Sequence, residues 1–567
     1  MLDGRAVSLA AALVAVSFTT PSGRSLLVLT RLPTSGLALL LVLLLGCRPA
    51  PPAGPPPMPL ATPTVPPAPV VSAPTLSPTA TRQLSRVPTP PPLEPVGNGG
   101  STLDARFGVA EGFRNPAVMS DIGAGWERVV LSWADIQPDG PDDFSWLGRT
   151  VPPTALAEEL RRGVRLAGLL QFTPDWAASD ATDPGRSVPR NLDLPDDDPR
   201  NYWARFVFET VKYYTGRIDE WIVWNEPEFK PNDAAGSGTF TWLGSDEQFA
   251  RLMQVAYRAA KRANPRAVVS FPGTSYWVDQ NAGRQQFYER YLRLVSVDPE
   301  ARAASFYHDA VSLNIYRAPD DLVRLHQQFK DLQLRYGVDV PIWLLELNAM
   351  PTNDRAIPCF ERHAFNPIQT TLDEQAAYAV QALALAAAVD YRRIAFYQMV
   401  DDNPCVQSAV WGITRDDGTP RPVAGALRTA VQSVGGFLKA RFVPLVRPQT
   451  RWAAWPTVPD SFVPNWQVYL IAFDLPASRR VTVVWNGDGS ALRVRLPRYG
   501  SAPRLLDGQG RTLDLTTVGQ DYAISLPAAT AHFSGDPDGY FFIGGEPRLL
   551  IEDAVPSDSP LPIPRLG

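Results

Sequence analysis

Eight times between Ala105 and Gly436, a short apolar run gives way to a longer stretch with helical spacing. No other feature constrains this chain as much. Parallel strands need a crossover connection, usually a helix. Regular alternation therefore predicts a parallel sheet with helices covering its faces. Eight such units within about 335 residues select a closed (β/α)8 TIM barrel over an open doubly wound sheet. The open alternative also lacks the Gly-rich turn that dinucleotide-binding sheets carry after strand one. Strands are expected at 106–110, 127–131, 164–170, 220–224, 267–271, 310–315, 341–345 and 393–398. Helices are expected at 116–122, 152–162, 202–214, 285–294, 320–336 and 422–434, with one opened by Ser245 or Asp246 and an alanine-rich one running from Thr371 or Asp373 to Asp390. Proline in a first turn and glycine past a last turn mark several of these ends.

After Gly436 the texture changes. Short alternating runs at 467–473, 480–485, 492–496, 503–506, 522–526, 540–543 and 548–552 are separated by turn signals. Asn486-Gly487-Asp488-Gly489 and Asp507-Gly508-Gln509-Gly510 read as hairpin turns. The fold class is thus α/β, a (β/α)8 barrel over 101–438 followed by a smaller all-β sandwich over 439–552. A chain of 567 residues is long enough for two cores. Residues 553–567, with Pro556, Pro560, Pro562 and Pro564, are expected to be a disordered tail.

The first hundred residues carry a different signal. Arg24 and Arg31 precede an apolar run from Leu37 to Leu45 that ends Leu44-Leu45-Gly46-Cys47. A short apolar region behind positive charges is a secretory signal rather than a membrane span. Its ending resembles a bacterial lipobox, which implies a signal peptide over 1–46 and lipidation of Cys47; a plain signal peptide is the alternative. Residues 47–100, dominated by proline, alanine, threonine and serine, cannot bury enough apolar surface to fold. An extended Pro-rich spacer of that length holds the body up to ~140 Å from an anchor. The expected location is extracytoplasmic, at the cell envelope, attached to the membrane through the N-terminal lipid. A net charge of −5 offers no basic surface for nucleic acid.

The chemistry centres on Ile222-Val223-Trp224-Asn225-Glu226-Pro227-Glu228. A buried strand ends in an amide, a carboxylate and a proline that cannot continue a sheet ladder. Strand seven ends alike, in Trp343-Leu344-Leu345-Glu346-Leu347-Asn348. A carboxylate closing an apolar parallel strand is costly without partners or a task. In one barrel, Glu226 and Glu346 both reach the upper rim, where barrel enzymes keep their reacting groups. Two carboxylates flanking a glycosidic bond are the apparatus of a retaining glycosidase.

Trp-Asn-Glu-Pro after strand four, with a glutamate after strand seven, resembles the large clan of retaining (β/α)8 glycoside hydrolases. The texture is most similar to the β-xylosidase and α-L-iduronidase family, and Trp411-Gly412-Ile413 with Asp416-Asp417-Gly418-Thr419-Pro420-Arg421-Pro422 is part of that likeness. The resemblance implies Glu226 as acid/base, Glu346 as nucleophile and Asn225 as a holder of the sugar 2-hydroxyl. It also implies Arg128 beneath the nucleophile and Tyr316 orienting it. The chain departs at strand eight, Ala395-Phe396-Tyr397-Gln398-Met399, where many clan members place a tryptophan; Gln398, Tyr397 or Trp411 is left to fill that role.

Trp133, Trp176, Trp277 and Trp411 follow strands two, three, five and eight and are candidates to line a sugar cleft; Trp133, Trp176 and Trp411 join the substrate-binding set. Cys359 and Cys405 fall in the neighbouring loops after strands seven and eight, and an even pair in an oxidising compartment predicts a disulfide. Four histidines without paired spacing predict no metal site, and no cofactor is implied. No serine elbow precedes a helix, so acyl transfer finds no support. The expected partner is carbohydrate, met by a monomer. The rival reading is a glycan-binding surface lipoprotein that has kept the barrel without its catalysis.

Overall fold

The computed structural model describes residues 14–19, 25–30, 103–146, 151–231, 233, 240–357, 370–407, 410–446, 466–532 and 541–567. Val14–Thr19 pairs antiparallel with Ser25–Thr30 in a unit of its own. Cys47 and Cys359 lie outside the described residues. Among those described, no helix is long and apolar enough to cross a membrane.

The barrel is closed and wholly parallel. Its strands are β1 Phe107–Ala110, β2 Trp126–Ser132, β3 Arg165–Gln171, β4 Glu220–Val223, β5 Val268–Thr274, β6 Ala310–Ile315, β7 Ile342–Leu347 and β8 Arg393–Phe396. Each pairs with the next, and β8 closes onto β1. Alternation sends Trp126, Ala167, Leu169, Ile222, Ala310, Trp343, Leu345 and Ala395 into the interior. Trp126 and Trp343 meet there edge-on, ring centroids 6.3 Å apart, and the alanines leave room for them. A Cβ on Gly108 would lie 2.4 Å from Trp126 Cε3, so β1 can pass this ring only as glycine. Below them Glu220 accepts from Trp126 Nε1 at 3.0 Å and from Arg393 Nε at 3.0 Å. The barrel floor is therefore filled and paired.

The helices start and stop where their caps dictate. Ser245 and Gln248 form a capping box on Asp246–Ala263, as do Thr371 and Glu374 on Leu372–Ala388. Leu372–Ala388 is buried around nearly its whole circumference. A helix apolar on every side must be covered on every side, and here the second domain supplies the outer cover. Gln381 donates to the carbonyls of Gly544 and Gly545 at 2.9 and 3.0 Å and accepts from Gly544 N at 3.0 Å.

That second domain is a sandwich of a seven-stranded and a four-stranded antiparallel sheet. Strand Trp466–Leu475 shows how both of its faces become apolar. Val468, Leu470 and Ala472 point into the sandwich core, while Tyr469, Ile471 and Phe473 join the core continuous with the barrel helices. Two expectations are corrected. Asn486–Gly489 is not a hairpin: the strand before it, Arg479–Asn486, pairs within the larger sheet, whereas Leu492–Pro497 pairs with Asp521–Leu526 in the smaller one. The turn carries the chain between sheets, and the Asn486 amide braces it through Ser490 O (2.8 Å) and Pro527 O (3.1 Å). Residues 553–567 are not a free tail either. Arg565–Leu566 adds an edge strand to Leu492–Pro497, Arg565 pairs with Asp521, and Arg480 holds Pro560 O at 3.1 Å. Prolines there cost no ladder bonds, because an edge strand does not need every amide.

Candidate active site

Two local irregularities aim the carboxylates. On β7, Leu344 stands opposite Leu313 of β6, yet the next β6 residue, Asn314, stands opposite Glu346. The β8 side shows the same extra residue between Leu344 and Leu347. This bulge lets Leu345 fill the interior and still brings Glu346 to the same mouth, where strict alternation would have sent it toward the helices. After β4, Trp224 takes a left-handed backbone (φ 67°), and Glu226 does likewise (φ 48°). Each such non-glycine residue costs on the order of 1–2 kcal/mol. Packing holds it: the Trp224 ring is fully buried against Trp203 and Trp242 at 6.3 and 5.2 Å, and Glu226 N donates to Gly273 O at 2.9 Å.

The two glutamates sit in opposite environments. Arg128 Nη1 donates to Glu346 Oε1, and the Tyr316 hydroxyl donates to Glu346 Oε2. Burial works most strongly against the Arg128 charge, but Glu346, Tyr397 and Glu111 together outweigh it and hold the guanidinium above its ordinary value. Burial, then the Glu346 charge, keep the Tyr316 phenol well above its usual range, so it donates rather than ionises. Glu226 Oε1 accepts from Ser275 Oγ at 2.8 Å and from Asn314 Nδ2 at 3.0 Å. Its other oxygen has no hydrogen bond among the described residues. Burial, and next the nearby Glu346 charge, push Glu226 up to about 7; the Asn314 and Ser275 bonds and the Arg128 charge pull the other way. One carboxyl is thus bonded to a guanidinium and a phenol, while its neighbour is pushed up toward neutrality.

Asn225 lies beside them, its Oδ1 accepting from Asn314 Nδ2 at 3.2 Å. Tyr316 packs edge-on against Tyr397 (6.0 Å) and tilted against Trp411 (4.7 Å), and Arg128 lies 5.6 Å over the Tyr397 ring. Tyr397 and Trp411 together stand at the strand-eight wall. The Tyr397–Gln398 peptide is cis. Asn348 Nδ2 ties this wall to β7 through Tyr397 O (2.6 Å) and Trp411 O (2.7 Å). Arg421, fully buried, links Asp401 and Asp354 at 2.6 and 2.8 Å and fixes the turn that presents Trp411.

The structure therefore brings Glu226, Glu346, Asn225, Arg128, Tyr316 and Trp411 into one mouth. Trp133 is a correction. It is wholly buried, stacked on Phe206 at 5.3 Å and close to Trp203, with Nε1 satisfied by Gln137 at 2.7 Å. It is a core residue because helix Tyr202–Tyr214 covers it. Trp176 stays half-buried, packs on Trp133 and Tyr202 and donates to Gln137 O at 2.7 Å. Trp277 lies under the Arg317 guanidinium at 3.7 Å. Cys405 is disulfide-bonded and packs with Trp411 on Met350, Ile357 and Val410. No group of metal-ligating side chains is assembled among the described residues.

Sequence reasoning missed Asn314, Ser275 and Gly273. Asn314 was within reach, since it stands two residues before Tyr316 at the end of β6, a spacing that places both on one face where the extended backbone continues. A Cβ on Gly273 would stand 2.3 Å from Asn314 Oδ1, so glycine makes room for the amide that binds Glu226.

No protein-family model matches the chain, and no curated protein matches it. Solved structures do. A family 39 glycoside hydrolase from the gut symbiont Bacteroides cellulosilyticus WH2 superposes with a TM-score of 0.54 at 13% identity, covering 80% of this chain and 81% of that one. A glucosidase from Croceicoccus marinus gives 0.48 at 14%, covering 80% and 96%. The catalytic domain of GH30 xylanase C from Talaromyces cellulolyticus gives 0.48 at 12%, covering 80% and 98%. At this identity the first likeness is one of fold, an eight-stranded barrel with a β-rich companion.

Proposed function

We propose that this protein is a retaining glycoside hydrolase. One observation carries the reading: in a single barrel mouth, Glu346 is paired with Arg128 and Tyr316, while Glu226 is pushed up to about 7 beside it. That is the division of labour double displacement needs. Glu226 gives its proton to the glycosidic oxygen as Glu346 attacks the anomeric carbon and the C–O bond breaks. Glu226, now ionised, takes a proton from water, which displaces Glu346 from the glycosyl-enzyme intermediate. Asn225 holds the sugar 2-hydroxyl, and Trp411 with Tyr397 walls the sugar ring. The substrate is an oligo- or polysaccharide, and the fold it shares with a family 39 glycoside hydrolase agrees with that class. The protein is exported and lipidated at Cys47, with Cys359 as the disulfide partner of Cys405.

The test is hydrolysis of a panel of aryl glycosides and polysaccharides by the full chain, beside Glu226→Gln and Glu346→Gln. Cleavage of a sugar that collapses in both variants supports the reading. Binding of sugars by all three proteins with no cleavage by any overturns it in favour of a glycan-binding protein.

A further inference from the structure

Glu228 follows Glu226 by two residues, and the double-displacement scheme gives it no task. Its carboxyl is fully buried. Oε1 accepts from Ser275 N at 2.6 Å, and Oε2 is buried without a hydrogen bond. Ser275 faces both ways: its amide binds Glu228, and its hydroxyl donates to Glu226 Oε1 at 2.8 Å. A chain of contacts thus runs from a buried carboxyl, through one residue, to the oxygen of the acid/base.

We propose that Glu228 is a positioning residue for Glu226, acting through Ser275. By fixing the Ser275 amide it fixes the hydroxyl, and with Asn314 that hydroxyl occupies Glu226 Oε1. The proton of Glu226 is thereby assigned to Oε2, the oxygen left for the substrate. The inference rests on the glycosidase reading for its purpose, though not for its geometry.

The surroundings explain why a carboxyl suits this position without disturbing its neighbour. On its own segment are Lys230 and Asp233; from the packed elements come Asp279, Arg284, Asp246 and Arg290. Arg284 pairs with Asp233 and Asp279, and Arg290 with Asp246 and Asp279. Lys230 faces Asp246. Arg284 reaches Glu228 only at its backbone carbonyl, at 3.0 Å. No cation pairs with the Glu228 carboxyl among the described residues, and burial, then the Glu226 charge, hold it well above the carboxylate range. Held toward its neutral form, it accepts the Ser275 amide while adding little charge beside Glu226.

The experiment follows the Glu226 carboxyl by 13C NMR in the full chain labelled at glutamate carboxyls, the resonance being assigned by its loss in Glu226→Gln. No substrate is needed, so the result stands whether or not glycosides are cleaved; a null glycoside panel would fault the functional reading alone. Glu228→Met keeps the volume and removes the acceptor. It should raise the Glu226 midpoint by about 1 pH unit, because the donated Ser275 bond favours the ionised form. Ser275→Ala should do the same, and the double variant should go no further. Glu228→Gln keeps an acceptor and should titrate as the parent does. On any sugar cleaved, Glu228→Met should lower kcat about tenfold and leave KM within about twofold. An unmoved midpoint in Glu228→Met, or additive shifts in the double variant, overturns the proposal. Should the Met variant fail to fold, Glu228→Gln decides: a shift there means that the Glu228 charge acts directly, and the Ser275 route is wrong.

Discussion

Replacing Glu346 by Gln should lower the pH at which Glu226 titrates. Glu226 stands at about 7 against an ordinary value of 4.5, a difference worth roughly 3 kcal/mol. Burial is the larger cause and survives the substitution; the charge of Glu346 is the second and does not. Two carboxylates placed for retention are about 5.5 Å apart. At an effective dielectric near 20 their repulsion is then roughly 3 kcal/mol, or about two pH units. Ser275, Asn314 and Arg128 still favour the anion, so the midpoint should fall to roughly 5. The assay is the carboxyl 13C titration, run on the parent and on Glu346→Gln after circular dichroism has shown both folded. This second check matters because Arg128 loses the carboxylate it is paired with and stays buried. A Glu226 midpoint within about half a pH unit of the parent would refute the reasoning: the two carboxyls would then not share one electrostatic site. The same fall should occur in a working enzyme whenever Glu346 becomes an ester, which would fit Glu226 to act as a base in the second half of the reaction.

Other consequences are as direct. Gly273→Ala places a Cβ 2.3 Å from Asn314 Oδ1; displacing that amide should cut kcat about tenfold while the melting temperature falls only slightly, and a variant with parental kcat would deny Asn314 its role. Trp133→Ala should destabilise the fold by about 3–5 kcal/mol in urea, whereas Trp411→Ala should leave stability nearly intact and lower kcat/KM; the reverse pattern would return Trp133 to the cleft. Burial holds His308 down to about 4, against the Phe306 carbonyl and Asp309. A histidine kept neutral in the fold costs nothing above its unfolded value, and stability declines as pH falls from about 6.5 toward 4, by up to about 3 kcal/mol. His308→Gln should therefore lose less stability than the parent between pH 7 and pH 4.5, and equal losses would show that the titration lies elsewhere.

Much of this was legible before any coordinates. Tyr202–Tyr214, Ala310–Ile315, Asp320–Tyr336 and Pro422–Val434 begin and end where their periodicity and flanking signals put them. Those signals are local: a cap, a proline, a glycine, an apolar period. Tyr316 and the two glutamates could be placed because each lies at or just past a C-terminal strand end, and those ends in a parallel barrel converge on one rim; Arg128, inside β2, was placed by the family resemblance.

What escaped the sequence depended on neighbours that are distant in the chain. Trp133 follows a strand, as Trp411 does, yet only the packing of Tyr202–Tyr214 makes one of them core and the other wall. The Asn486–Gly489 turn has hairpin chemistry, but the partners of its flanking strands were chosen by two sheets competing for the same apolar faces. Parity along β7 would have turned Glu346 toward the helices once Leu345 faced inward, and a one-residue bulge reversed that. The sequence by itself determined the eight strand–helix units, their order and the two carboxylates, because those follow from local patterns of burial. Only the tertiary structure decided which oxygen of Glu226 is engaged and which donors, Ser275 and Asn314, engage it. Those outcomes turn on shifts of a few ångströms between strands far apart in the chain, which no local pattern encodes.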